Sequence, residues 1–230
     1  MAKKLRVNNR ARAKSASSGL GHGKRFRGGV KYSRRSQGAG MKHNFPFQPT
    51  GSHSSPANFV VLGVDPGLDE TGYAVLVLSE PRGTPSFAAA DFYPPVRIQE
   101  AGIIKTRTEK PLEVRLQEIY QGMRGLLAEA HPQAVVVEDL YTDYRHPRTA
   151  ILMGHARASI LLAAAEENIP VIQYSPTRIK KAITGNGRAS KEQVQLMIQT
   201  LLRLKEPPTP DHVADALAAA LCHFNQLVQE

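Results

Sequence analysis

The chain has 230 residues, 41% of them hydrophobic, with one Cys, no Trp, and 30 Lys and Arg against 20 Asp and Glu. That composition excludes collagen, a disulfide scaffold and a wholly disordered chain, and Cys222 alone can form neither an internal disulfide nor a Cys-based zinc site. No apolar run approaches the ~18 residues a membrane span needs, and the start MAKKLRVNNR lacks the apolar core of a secretory signal, so a soluble cytoplasmic protein with no membrane contact is expected.

Residues 1–57 hold 13 of the Lys and Arg and no acid; the first acidic residue is Asp65. The other 173 residues carry 17 Lys and Arg against 20 acids, so the positive surplus belongs to the N-terminal stretch. Gly, Ser and Asn are concentrated there, and its few apolar residues follow neither strand nor helix periodicity. Such a segment cannot bury enough apolar surface to offset its ordering entropy, and it reads as a disordered basic tail. Three roles suit it: a solubility feature, an arm that releases counterions from nucleic acid phosphates, or an organelle-targeting segment. Targeting ranks lowest, because no amphipathic helix is evident.

From residue 58 onward the pattern becomes that of one domain, 58–230. NFVVLGV (58–64) is a short apolar run ending in DPG, the mark of a buried strand and a turn. GYAVLVL (72–78) follows closely enough to pair with it as a hairpin. A third strand is expected within 96–105. Pro111 opens a helix whose Leu112, Leu116, Ile119, Met123, Leu126 and Leu127 recur at helical spacing. AVVVED (134–139) is another buried strand with acids at its end. An Ala-rich helix spans about 148–167, and IPVIQY (169–174) is a fifth strand. Ser175 and Pro176 open a short helix. Ser190 and Gln193 form a capping-box start to a helix reaching about 203, and an amphipathic helix runs from about 211 to 227.

The order βββαβαβααα predicts an α/β fold with a five-stranded mixed sheet flanked by helices. Right-handed crossover puts the strand at 134–138 parallel to the first and beside it. This succession of elements resembles ribonuclease H-like domains.

Three acids stand where an acid is expensive: Asp65 at the end of the first strand, Glu138 at the end of the fourth, and Asp215 in HVADALAAAL. Adjacent parallel strands bring Asp65 and Glu138 to one sheet edge, the edge where open α/β sheets bind ligands. His212 and Asp211 lie one turn before Asp215 on its own helical face. Clustered carboxylates repel one another unless a cation joins them, and hard oxygen ligands suit Mg²⁺ or Mn²⁺. An imidazole in the set moves the preference towards Mn²⁺. Taken singly, each acid also has a plain reading as a turn cap or a local ion-pair partner.

The stretches LGVDPGLDETGYAV (62–75), VVVEDLY (135–141), 154–198 and PPTPDHVADALAAALCH (207–223) together resemble the RuvC family of Holliday junction resolvases. DPG-x₃-TG alone is weak, since actin-like phosphate loops share its form; four segments in order are specific. The resemblance covers about 59–224 and implies a metal-dependent endonuclease that resolves four-way DNA junctions by paired symmetric nicks in recombination and repair. It implies a homodimer and, as a further partner, a branch-migration helicase complex. Carried over by position, the metal ligands and catalytic residues are Asp65, Glu138, His212 and Asp215, holding two Mg²⁺ or Mn²⁺ ions, with Asp211 an alternative to His212. Tyr141 matches an aromatic that engages junction bases, and Lys180 and Lys191 match lysines that contact phosphates. Arg145, Arg148 and Arg188 are further candidate DNA contacts. GNGRASK (185–191) lacks the second Gly of a P-loop, so no nucleotide site is expected there. Cys222 and His155 read as buried residues. The alternatives are a YqgF-type RNA-processing nuclease on the same fold, disfavoured by the Glu138 context and the GHARA segment, and a catalytically silent junction-binding module, disfavoured by the intact acids.

Overall fold

The computed structural model describes residues 58–79, 96–139 and 147–229. The expected tail, Tyr141 and Arg145 lie outside the described residues. The elements are β1 (Asn58–Asp65), β2 (Glu70–Ser79), β3 (Val96–Lys105), α1 (Leu112–Ala130), β4 (Ala134–Glu138), α2 (Pro147–Glu166), β5 (Val171–Tyr174), α3 (Pro176–Thr184), α4 (Lys191–Leu201) and α5 (Asp211–Gln229). They form one five-stranded sheet in the order β3-β2-β1-β4-β5. β1 pairs antiparallel with β2 and parallel with β4, as the hydrophobic runs and crossover handedness predict.

Alternation along the central strands sorts their side chains into two cores. Leu62 and Val64 of β1, with Val135 and Val137 of β4, pack against Ile119 and Met123 of α1 and Ile160 of α2. Val61 of β1 and Val136 of β4 face the other way, onto Leu217, Leu221 and Phe224 of α5 and Ile198 of α4. The parity has a direct consequence for the acids. Asp65 shares the face of Val61, and Glu138 shares the face of Val136, so both belong to the side that α5 covers.

Local chemistry accounts for most boundaries. Ser175 caps α3 through Arg178 N, with Pro176 in the first turn, and Gly185 ends that helix in the left-handed region at φ 76°. Ser190 and Gln193 form the reciprocal capping box of α4. Pro111 opens α1 as expected, from the N-cap and with extended ψ. Two expectations need correction. β5 starts at Val171 because the amide of Ile169 is used to close α2, on Ala164 O. His155 is exposed; the buried polar residue of α2 is Arg157, two positions on.

Candidate active site

α5 is buried nearly all round over Ala214–Phe224, and small residues let it sit directly on β1 and β2. Two glycines make the seat. A Cβ at Gly63 would stand 2.1 Å from Ala216 O, and one at Gly72 would stand 2.0 Å from His212 O. The second glycine of DPG-x₃-TG therefore serves close helix packing, and the motif's threonine closes its own turn, Thr71 Oγ1 donating to Gly67 O at 2.7 Å. The packing brings the first two turns of α5 to the end of β1.

β1 and β4 pair in register up to Val64 and Val137, so Asp65 and Glu138 follow side by side. His212 Nδ1 lies 2.7 Å from Asp65 Oδ2, across 147 residues of sequence. A carboxylate only accepts, so Nδ1 carries a proton, and in the neutral form of the ring the lone pair is on Nε2. The bond to Asp65 raises the His212 pKa, against the effect of burial.

Asp215, one turn on, is raised by burial first and by the Asp65 charge second. Lys191 opposes both, its Nζ 3.1 Å from Asp215 Oδ2 and 3.3 Å from Asp211 Oδ2. Burial works to lower the Lys191 pKa, but its attraction to the two carboxylates prevails and the net shift is upward. Asp211 is held low by the hydrogen bond from Lys191 and then by Gln195, whose Nε2 lies 3.0 Å from Asp211 Oδ1. His212, and not Asp211, thus reaches the strand end.

Glu138 is the least compensated member. Burial, and then the charges of Asp65 and Asp215, push its carboxyl up to about 7, while Lys180 and Lys191 pull the other way. Asp65, Glu138, His212, Asp215, Lys180 and Lys191 therefore influence one another across five elements. Arg148 and Arg188 are exposed, and the Arg188 amide is engaged in its own turn with Asn186 Oδ1. A residue the sequence reasoning passed over stands behind Glu138: the buried Arg157 donates Nη1–H to the Glu138 carbonyl at 2.5 Å. Its position on the apolar stripe Arg157, Ile160, Ala164 was the available signal.

Among the described residues, no three His, Cys, Asp or Glu side chains are arranged to hold a metal ion together. The internal partners explain why: Asp215 is turned to Lys191, and Asp65 to His212. The donor set itself fits a hard divalent cation, with three carboxylates and one imidazole. Burial first and the neighbouring acids second raise the Glu138 and Asp215 carboxyls, and the lysines only partly offset this, Lys180 and Lys191 at Glu138 and Lys191 at Asp215.

The family model described as "Crossover junction endodeoxyribonuclease RuvC" matches residues 61–223. A protein of that name from Rhodopirellula baltica is 46% identical over 162 residues, covering 70% of this chain and 84% of its own length. Another, from Desulforamulus reducens, is 41% identical over 164 residues, covering 71% and 92%. Among solved structures, Thermus thermophilus RuvC in complex with Holliday junction substrate matches with a TM-score of 0.64 at 34% identity, over 74% of this chain and 96% of that one.

Proposed function

The chain belongs to the RuvC family of crossover junction endodeoxyribonucleases, and from that premise we propose that Asp65, Glu138, His212 and Asp215 are its catalytic metal ligands. The protein is a metal-dependent nuclease that resolves four-way DNA junctions, with the ribonuclease H-like fold of its family. What supports the residue assignment is the convergence of two strand ends and one helix start: Asp65 beside Glu138, and α5 laid over both so that His212 meets Asp65 at 2.7 Å.

Divalent cations held by this set, Mg²⁺ or Mn²⁺ and two per site, supply charge neutralisation of the scissile phosphate and a lowered pKa for the attacking water. The chain's own residues do the rest. Asp65 lies between Glu138 and His212 and serves both halves of the site. Glu138, pushed up to about 7 by burial and then by the Asp65 and Asp215 charges, would hold a cation as its carboxylate. Lys191, once released from Asp215, is a cation on the first turn of α4 able to meet a phosphate, and Lys180 is a second. Tyr141 and Arg145, in the segment between β4 and α2, are proposed to engage the junction bases and backbone, with Arg148 and Arg188 as outlying phosphate contacts.

Two nicks of matching position need two sites related by a two-fold axis, which a homodimer supplies. α2 offers a face for a second copy: Ile151 and Leu162 are 60% and 55% exposed, three helical turns apart, with exposed His155 and Ala158 between them. A branch-migration helicase complex is a further proposed partner, and the basic stretch 1–57 is proposed as an added contact to DNA.

End-labelled four-way junction, linear duplex, fork and structured RNA, each incubated with the full chain and Mg²⁺ or Mn²⁺, test the reading. Paired symmetric nicks confined to the junction are expected. Cleavage of RNA or linear duplex in preference to the junction would contradict it.

A further inference from the structure

Arg157, we propose, is a positioning residue that holds the peptide between Glu138 and Asp139, and through it the Glu138 carboxylate, in place. The inference rests on the catalytic reading of Glu138. Among the described residues the Glu138 carboxylate accepts no hydrogen bond, and the hydrogen bonds that restrain this residue act on its backbone. Glu138 is also the last residue of β4, where strand pairing ends and the backbone is free to fray.

The peptide that follows is gripped from both sides. Its N–H, that of Asp139, donates to Tyr174 O at 2.9 Å. Its carbonyl, that of Glu138, accepts from Arg157 Nη1 at 2.5 Å. Together the two bonds fix the plane of the peptide and hence the ψ angle of Glu138. A pocket that must place a carboxylate to within a fraction of an ångström gains directly from that restraint.

Stability does not account for the residue. Arg157 is 7% exposed, on a face of α2 otherwise made of Ala156, Ile160, Ala163 and Ala164. Arginine is rarely so buried unless paired, and among the described residues its charged partner is a long, partly solvated one: Nη2 is 3.7 Å from Asp139 Oδ1, on a side chain 57% exposed. A well-packed apolar side chain of similar volume would serve the core as well or better. What an apolar residue cannot do is donate to the Glu138 carbonyl.

Arg157→Met and Arg157→Lys, made in the full chain, separate the two roles. Amide exchange of the metal-free protein is read by NMR, and kcat and KM are read on a four-way junction with Mn²⁺. Arg157→Met is expected to keep a Tm near wild type and to leave the Val136 amide unchanged. The Asp139 amide should exchange about tenfold faster or more, and kcat should drop about tenfold to hundredfold at unchanged KM. Arg157→Lys, which keeps a donor, should recover part of both losses, and it carries the test by itself if Arg157→Met does not fold. Wild-type Asp139 exchange and kcat in a folded variant would overturn the proposal. So would loss of protection across all of β4 in step with a lowered Tm, or a Lys variant no better than Met. If wild type does not cut junctions, the resolvase reading fails, while the Asp139 exchange rate still decides whether Arg157 holds the peptide.

Discussion

Lys191 Nζ stands 3.1 Å from Asp215 Oδ2, so an acid of the pocket is neutralised by a residue from another helix. Lys191 sits in the first turn of α4, where the helix dipole disfavours a cation, so the two carboxylates and not the helix hold it there. A divalent cation must displace this ammonium from Asp215. Lys191→Met is therefore expected to bind Mn²⁺ about fivefold more tightly, the equivalent of losing a competing, partly exposed ion pair of about 1 kcal/mol. The same variant should bind junction DNA more weakly, its salt slope smaller by about 1. Calorimetric titration checks the first effect and a salt series the second; unaltered Mn²⁺ affinity would show that the ammonium does not compete.

Without a divalent cation the pocket works against the fold as pH rises. Glu138 is pushed up to about 7 by burial and by Asp65 and Asp215, and Asp215 and His212 are raised as well. A group whose folded pKa exceeds its unfolded one binds more protons in the fold. Its stabilising contribution is complete below the unfolded value and is lost as pH climbs through the folded one. For Glu138 that window runs from 4.5 to about 7. Thermal melts of the metal-free chain should show Tm falling across this range, and Glu138→Gln should flatten the fall. Mg²⁺ should then raise Tm more on the alkaline side, because its ligands must be deprotonated.

Gly72 is the seat of His212. Gly72→Ala places a Cβ against the His212 carbonyl, where 2.0 Å is available. The helix start has to move, at a cost of about 1–3 kcal/mol for overpacking, or roughly 2–10 °C in Tm for a body of this size. Metal binding and cutting should be lost beyond what the Tm change explains, and calorimetry beside a junction assay measures both.

Charge in the first 57 residues predicts a separate effect. Removing 1–57 takes away 13 Lys and Arg and no acid. Junction affinity should fall and its dependence on salt should flatten, while kcat at saturating DNA is retained. A salt titration with the slope of the full chain would make the stretch a bystander in binding.

Much of this arrangement could be read before any coordinates. The apolar runs ending at Asp65 and Glu138, with a helical segment between them, already required two parallel neighbours with acids at one edge, and β1 and β4 pair in that way. The i to i+3 spacing of His212 and Asp215 put them on one helix face. Contacts between elements stayed hidden, because periodicity reports which face is buried and not what it meets. Nothing in SKEQVQLMI says that Lys191 reaches Asp215, and nothing in GHARAS says that Arg157, and not His155, is the buried member. The glycines of DPG-x₃-TG read as turn residues until α5 is seen to lie against Gly72.

Asp65 is the residue on which the pocket turns, since it neighbours Glu138 and bonds His212. The decisive measurement follows Asp65→Asn in the full chain: Mn²⁺ affinity by calorimetry and nicking of an end-labelled four-way junction, with junction binding as the control for folding. A variant that still binds the junction but neither takes up Mn²⁺ nor cuts is the expected result. Wild-type Mn²⁺ affinity and wild-type nicking in that variant would contradict the account.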